Sequence, residues 1–341
     1  MDIESLAKEG AVGRLPRTTR PLDITVLMGG PSSERQVSLM SGEAIADALQ
    51  RVGHRVERAD ISTSDSSALD RAAIDVVFIV LHGSFGESGE VQSLCEARRL
   101  PYTGSGTRAS KLAMDKAASK QMLKQADLAT PDWMIIEEFH SPDLVAGWLE
   151  QIPPPVVIKP VDGGSSLDIT IARDEIARDD ALDALLDKYG RVMLERYVEG
   201  RELTVSILAG QVLPVMEIVV AREFYDYTAK YSDGAGTQYV FDHGLADETV
   251  EAVRSAALTA HRVLGCRDMS RVDFVLDEAG ASQVLEINTI PGFTSHSLLP
   301  MAAKRVVISF EELVDSLVAM AAQRKLPGHW EMGSEDGTEE R

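Results

Sequence analysis

Two short apolar runs stop abruptly at glycine. Ile24 to Met28 ends in Gly29-Gly30, and Val76 to Leu81 ends in His82-Gly83. Between them Ile45, Ala46, Leu49 and Val52 fall on one helical stripe, and Arg55 to Ile61 reads as another strand. Continuous apolar runs joined by a helix describe strands buried on both faces, the mark of a parallel sheet. Ligands of such sheets sit outside the carboxyl ends of the strands. There the chain places Gly29-Gly30-Pro31-Ser32-Ser33-Glu34 and His82-Gly83-Ser84-Phe85-Gly86-Glu87-Ser88-Gly89. Glu34 equally suits a helix start, where the dipole favours an acid.

The pattern changes further on. One helical segment is expected from Ala113 to about Gln125, then strands at Val156 to Lys159 and Val192 to Val198. Leu203 to Leu208 and Val212 to Val220 flank Ala209-Gly210-Gln211, a hairpin signature. A long helix follows, with Val250, Val253, Ala257, Leu258, His261 and Leu264 on one side. Val272 to Leu276 and Val284 to Asn288 then flank a turn near Glu278-Ala279-Gly280. The expected class is α/β followed by α+β.

Charge narrows the partners. Against 34 Lys+Arg stand 54 Asp+Glu, a formal charge of −20. Such a surface repels nucleic acid and anionic membranes, and a polyanionic ligand would need a local basic pocket. The two cysteines, Cys95 and Cys266, imply no disulfide framework and suit a reducing cytoplasm. Asp2, Glu4 and Glu9 argue against a signal peptide, and no apolar run reaches membrane-helix length. Residues 1–20 read as a flexible leader and 327–341 as a disordered acidic tail.

Three constellations carry chemistry. Strand residues two apart share a face, so Arg271 and Asp273 lie together, as do Glu286 and Asn288. If those faces match, Asp273, Glu286 and Asn288 offer three oxygen donors for Mg²⁺ beside an arginine. The alternative is an ordinary half-exposed hairpin. Lys159 ends a buried strand and leads into Gly163-Gly164-Ser165-Ser166, a loop whose N–H groups suit phosphate. It lacks the Gly-Lys-Ser/Thr order of a P-loop, and a simple turn is the other reading. The stretch Glu223-Phe224-Tyr225-Asp226-Tyr227-Thr228-Ala229-Lys230-Tyr231 reads as a lid or as a surface loop. Neither Cys-x-x-Cys nor His-Glu-x-x-His occurs, so zinc is not expected.

Together with Tyr102-Thr103-Gly104-Ser105-Gly106, Met114-Asp115-Lys116, Arg271-Val272-Asp273-Phe274, Glu286-Ile287-Asn288-Thr289 and Pro291-Gly292-Phe293-Thr294-Ser295-His296-Ser297, these segments resemble the D-alanine:D-alanine ligase family of the ATP-grasp fold. The resemblance runs from about Asp23 to Met320. It implies an N-terminal Rossmann-like substrate domain (21–113), a central ATP-grasp subdomain (114–200) and a C-terminal ATP-grasp domain (201–326) with a lid at 223–239. It implies ATP-dependent joining of two D-alanines through an acyl phosphate, for peptidoglycan. Lys116, Lys159, Gly164 and Ser166 would hold phosphates, Lys230 the γ-phosphate, and Glu195 and Glu202 adenine and ribose. Asp273, Glu286 and Asn288 would hold two Mg²⁺, with Mn²⁺ as a substitute. Glu34, Ser165 and Tyr231 would orient the first D-alanine, with His82 beside the substrate. Arg271 and the Gly292 N–H would stabilise the tetrahedral intermediate. Ser297 and the Leu298 amide would hold the second carboxylate. A cytoplasmic homodimer is implied as well.

Some positions depart from the family pattern. Gln36 replaces a glutamate, Ser88 and Ser93 replace Asp and Gly, and His243 stands near a more familiar proline. Asp168 stands where the phosphate loop usually continues with glycine, an extra carboxylate expected near bound polyphosphate. Two other readings follow from these changes: a related ligase making a depsipeptide or another dipeptide, and a degenerate nucleotide-binding homologue.

Overall fold

The computed structural model describes residues 12–163, 168–219, 237–294 and 297–324. The first unit comprises β1 (Asp23–Met28), α1 (Arg35–Val52), β2 (Arg55–Asp60), β3 (Val76–Ile79), α2 (Ser84–Glu87), α3 (Glu90–Ala97) and α4 (Thr107–Met114). Its strands pair in parallel in the order β2-β1-β3, with Ile24 opposite Val56 on one side and Val76 on the other. Val26, Leu27, Val76, Val77 and Phe78 are all fully buried, which explains their unbroken apolar character. On α1, Ile45, Ala46 and Leu49 are buried as expected, but Val52 is 39% exposed. Val52 is the last residue before Gly53, whose φ of 108° ends the helix and turns the chain away.

The second unit comprises α5 (Lys116–Gln125), β4 (Trp133–Glu137), α6 (Pro142–Gln151), β5 (Val156–Pro160), β6 (Thr170–Ala172), α7 (Glu175–Tyr189) and β7 (Arg191–Arg196). The strands form an antiparallel sheet ordered β4-β7-β5-β6. The single helix expected from Ala113 is in fact two. Asp115 takes an extended backbone and its side chain accepts from Ala118 N at 2.9 Å, capping α5. A one-residue break of this kind leaves apolar periodicity almost unchanged.

The third unit is an antiparallel sheet of β8 (Gly200–Leu208), β9 (Gln211–Val212), β10 (Met216–Val219), β11 (Gln238–Val240), β12 (Met269–Asp277) and β13 (Ser282–Asn288), covered by α8 (Asp247–Val263). Its order is β11-β10-β8-β12-β13, with β9 beside β8. Val253, Ala257 and Ala260 of α8 share a core with Val205, Val272, Phe274 and Ile287. The last helices, α9 (Leu298–Arg305) and α10 (Phe310–Ala322), lie in a core that also holds Leu208, Met216 and Met269 of this unit and reaches the first unit. Leu313, Val314, Leu317 and Val318 of α10 share a core with Ile45, Leu49 and Phe78 of the first unit. From Leu313 to Ala319 α10 is buried at every position, packed against both α1 and β3.

The leader also differs from expectation over its described part. Thr18 donates to Asp315 through its backbone at 3.3 Å and its hydroxyl at 2.6 Å. Leu22 N donates to His54 Nδ1 at 3.1 Å, so the ring proton sits on Nε2, 3.1 Å from Asp315 Oδ1. The anchor is polar and distant in sequence, so no local pattern reveals it. Residues 1–11 and the acidic tail 327–341 lie outside the described residues. Among the described residues no helix is long and apolar enough to cross a membrane.

Replacing Asp315 removes the acceptor of three donors, the Thr18 amide, the Thr18 hydroxyl and the buried His54 Nε2. Asp315→Ala should lower the unfolding free energy by about 2–3 kcal/mol and Thr18→Val by about 1 kcal/mol, measured by urea denaturation. Unchanged midpoints in both variants would mean that the leader is not held by this network.

Candidate functional site

The carboxyl ends of β1 and β3 are locked together. Ser32 Oγ donates to the His82 carbonyl at 2.7 Å, and Glu34 N donates to Ser32 Oγ at 3.2 Å. Gly83 has a φ of 78°, and a Cβ there would lie 2.7 Å from Ser32 Cβ. A Cβ at Gly86 would meet the Leu81 carbonyl at 1.8 Å. Only glycine permits both approaches. The result places Glu34, which is buried, beside Glu87, whose Oε2 accepts from Gly83 N at 2.7 Å.

Glu87 was not among the expected site residues. Burial first, then the nearby Glu34 charge, pushes its pKa up to about 8, with Glu286 adding to the effect; the Gly83 amide and Arg271 oppose it. His82 moves the other way, down to about 4, chiefly through burial, with Arg271 adding and a hydrogen bond to the Ile290 backbone opposing. The imidazole is therefore neutral at ordinary pH. Among the described residues its buried Nε2 meets no partner.

The β12–β13 hairpin has the matched polar face. Asp273 lies opposite Glu286 and Arg271 opposite Asn288. Val272, Phe274 and Ile287 turn into the core. A bulge after Asp273 shifts the register, so that Phe274 pairs with Val284 and Leu285 is the extra residue. Arg271 grips Asp273 through Nε at 2.9 Å and Nη2 at 2.7 Å, while Thr204 of β8 donates to Asp273 Oδ1 at 2.6 Å. Thr204 is a site residue that sequence did not suggest. Its hydroxyl is visible only once β8 is known to be the neighbour of β12. The Asn288 side chain accepts from Ile290 N at 2.8 Å, turning the chain out of the sheet.

The cations converge from the central unit. Lys116 Nζ donates to the Gly163 carbonyl and lies 3.7 Å from Glu286 Oε2. Lys159 Nζ lies 2.5 Å from Glu195 Oε2, and Lys120, which was not expected, lies 2.5 Å from Oε1. Glu195 is thus held between two ammoniums and is 2% exposed. The clue to Lys120 was its place one turn beyond Lys116 on the same helix face. Glu202 sits on β8 between Ile218 and Val275.

The last loop returns to the first unit. Phe293 N donates to Ser41 Oγ at 3.3 Å, and the Phe293 ring packs edge-on against Phe78 with centroids 5.8 Å apart. Ser297 immediately precedes α9, so the Leu298 amide is among the donors that the helix leaves unpaired. Ser297 Oγ accepts from Thr294 N at 2.9 Å, and a Cβ at Gly292 would come within 2.7 Å of it.

Asp168 behaves differently from the sequence expectation. Its φ of 55° is the left-handed backbone that glycine normally supplies and that aspartate tolerates better than most. Its carboxylate turns to the end of α7, where Lys188 Nζ donates at 2.6 Å and the Tyr189 hydroxyl donates as well. Lys188 holds the carboxyl below the usual range, with Tyr189 reinforcing it. The extra charge is already neutralised. Gly164, Ser165, Ser166, Lys230, Tyr231 and most of the lid, 223–236, lie outside the described residues.

Asp273, Glu286 and Asn288 are hard oxygen donors on one face, which is the donor set that Mg²⁺ favours. Lys116 and Arg271 border them with positive charge of the kind a polyphosphate needs.

The chain as a whole is similar to proteins of one family. A family profile described as "D-ala D-ala ligase C-terminus" matches residues 122–319, and one described as "D-ala D-ala ligase N-terminus" matches residues 54–105. The chain is 42% identical over 307 residues to a D-alanine–D-alanine ligase of Synechococcus sp. (strain JA-3-3Ab), covering 89% of this chain and 94% of that protein. It superposes on the Bacillus anthracis D-alanine–D-alanine ligase with a TM-score of 0.77 at 34% identity, covering 88% and 97% of the two chains. The structure of that ligase complexed with ATP gives 0.76 at 32% identity, with the same coverage.

The raised Glu87 pKa has a stability consequence. The unfolded carboxyl ionises near 4.5, whereas the folded one holds its proton to about 8. Stability from this group is therefore present at low pH and lost as pH rises through about 8. The melting temperature should fall between pH 5.5 and 8.5, and Glu87→Gln should flatten that fall. A parallel fall in both proteins would remove Glu87 as its source.

Proposed function

The chain belongs to the D-alanine–D-alanine ligase family, with its ATP-grasp fold, and from that premise we propose how its own residues join two D-alanines using ATP. The observation that carries the reading is the β12–β13 register. It sets Asp273 opposite Glu286, and Lys116 reaches that same edge from the central unit.

In the first step a carboxylate oxygen of the first D-alanine attacks the γ-phosphorus of ATP, and ADP leaves. The product is an acyl phosphate. The neutral amine of the second D-alanine then attacks the acyl carbon, and the tetrahedral adduct expels inorganic phosphate to leave an amide. Both first-step reactants are anions. Lys116, Lys159 and, from the lid, Lys230 offset their repulsion, with Gly164 and Ser166 of the phosphate loop. Asp273, Glu286 and Asn288 would hold two Mg²⁺, or Mn²⁺, which would neutralise phosphate charge. Glu202 faces the ribose and Glu195 the adenine.

The strand-end cluster suits the first D-alanine. Glu34 offers a carboxylate for its ammonium, and Glu87, which keeps its proton, adds a neutral carboxyl beside it. His82 is neutral and so does not repel that charge. Ser165 and Tyr231 complete the arrangement and tie down the lid, which keeps water from the acyl phosphate. The Arg271 guanidinium and the Gly292 N–H receive the oxyanion of the adduct. Ser297 and the Leu298 amide at the start of α9 hold the second carboxylate.

The buried free thiols Cys95 and Cys266 and the charge of −20 support a reducing cytoplasmic setting. The homodimer is carried over from the family resemblance.

Three measurements test the reading. Glu286→Gln keeps the shape but removes a metal charge, and turnover at saturating ATP should fall at least about 100-fold. Wild-type turnover with unchanged Mg²⁺ dependence would end the metal assignment. Asp168→Gly should leave MgATP affinity within about twofold, because an exposed ion pair with Lys188 already holds that carboxylate. A marked tightening would show that it reaches the nucleotide. Tyr231→His should shift products toward ester when D-lactate competes, most strongly at low pH, since a protonated imidazole repels the amine's ammonium form. Mass spectrometry decides this. Mainly D-alanyl-D-lactate from the unmodified enzyme at neutral pH would overturn amide formation as its main activity.

A further inference from the structure

Lys120 is one of the most deeply buried charged residues of the described chain, at 1% exposure. Its ammonium lies 2.5 Å from Glu195 Oε1, donates to the Pro131 carbonyl at 3.1 Å and to Thr130 Oγ1, and stands 5.3 Å from the Trp133 ring centroid. These partners are fixed. Thr130 in turn donates to the Val284 carbonyl at 2.8 Å, and Trp133 sits directly opposite Glu195 in the sheet. The other oxygen of Glu195 is taken by Lys159 Nζ, also at 2.5 Å.

One buried carboxylate is therefore shared by two ammoniums. A lone Lys159–Glu195 pair would be neutral, each charge engaged by the other. The second lysine leaves the trio with a net charge of about +1. A requirement for packing alone does not call for this arrangement, since apolar side chains commonly replace buried ion pairs without loss of stability.

We propose that Lys120 is a positioning residue for nucleotide binding: by engaging the second oxygen of Glu195 it leaves the Lys120–Glu195–Lys159 trio with a surplus positive charge that Lys159 can offer to polyphosphate. The proposal deepens the reading of Lys159 as a phosphate ligand and rests on it.

The electrostatics around Lys120 agree. The charged groups facing it are Glu195 from β7, Lys159 from β5 and Asp132 from the segment before β4; Lys124 of its own helix stands 5.8 Å from the Trp133 centroid. Burial, with Lys159 adding, brings its pKa down to about 8 against the pull of Glu195 and Asp132. Nucleotide affinity should accordingly weaken as pH rises through that value, where the trio loses its surplus charge.

The test is isothermal calorimetry on the full chain with MgATP, and with adenosine as the probe lacking phosphate. Lys120→Met should weaken MgATP binding roughly tenfold and adenosine binding less than about twofold. In turnover, KM for ATP should rise in Lys120→Met while KM for D-alanine holds. Equal weakening toward both probes would assign Lys120 a structural role and overturn the proposal. Lys159→Met separates the two readings. If it leaves MgATP affinity unchanged, the phosphate role of Lys159 fails. If it weakens binding while Lys120→Met does not, the proposal alone fails. Should Lys120→Met not fold, the unmodified protein decides: MgATP affinity should fall up to about tenfold between pH 7.5 and 9.5, and a flat profile would overturn the proposal.

Discussion

The site depends on where β12 lies. It is paired on one side with β8 and on the other with β13, so Asp273 meets Thr204 across one edge and Glu286 across the other. The register is set by the apolar face. Val272, Phe274 and Ile287 pack under α8, and a slip of one residue would turn them to solvent and the carboxylates inward. The bulge after Asp273 alters the pairing only beyond the polar pair, so the donor face stays aligned while the far end of the hairpin follows another register. The same hydrophobic burial that holds the domain together thus places the chemistry.

Around that strand the protein manages an awkward charge balance. Its surface is strongly acidic, yet the reaction brings a carboxylate to a polyphosphate. The cations are accordingly few and well held. Arg271 is oriented by Asp273, and Lys116 spans from a carbonyl of the central unit toward Glu286. Carboxylates that face one another adjust instead by retaining a proton, as Glu87 does beside Glu34. Glycines 83 and 86 permit that juxtaposition, because a side chain at Gly83 would push against Ser32 of the other loop and one at Gly86 would strike the Leu81 carbonyl of its own strand end.

The joints between units are equally specific. Asp268 accepts from Arg324 at 2.6 Å and from Gly104 N at 2.8 Å, tying the Tyr102–Gly106 loop to the start of β12 and to the chain after α10. Phe293 lodges against Phe78, so the chain at this point is seated on the parallel sheet rather than on the sheet it has just left. Glu34 and Ser297 are therefore carried on one packed frame, which is what orientation-dependent chemistry needs.

Much of this was legible in the sequence. Glycine-terminated apolar runs announced the parallel sheet, and two-residue spacing put Arg271 with Asp273 and Glu286 with Asn288, because strand geometry is local. What local patterns cannot hold is which distant groups meet. The division of the helix at Asp115, the anchoring of Thr18 on Asp315 and the return of α10 to the first unit all depend on partners far away in the chain. Asp168 shows the limit most clearly. From sequence it is an extra carboxylate in a phosphate loop; in the fold, a left-handed backbone turns it to Lys188, twenty residues on, and the charge is spent there. Sequence determined the strands, the glycine loops and the residue types of the site. Only the tertiary structure decided which charges are paired, since pairing is set by distance and burial, and both arise when separate elements pack together.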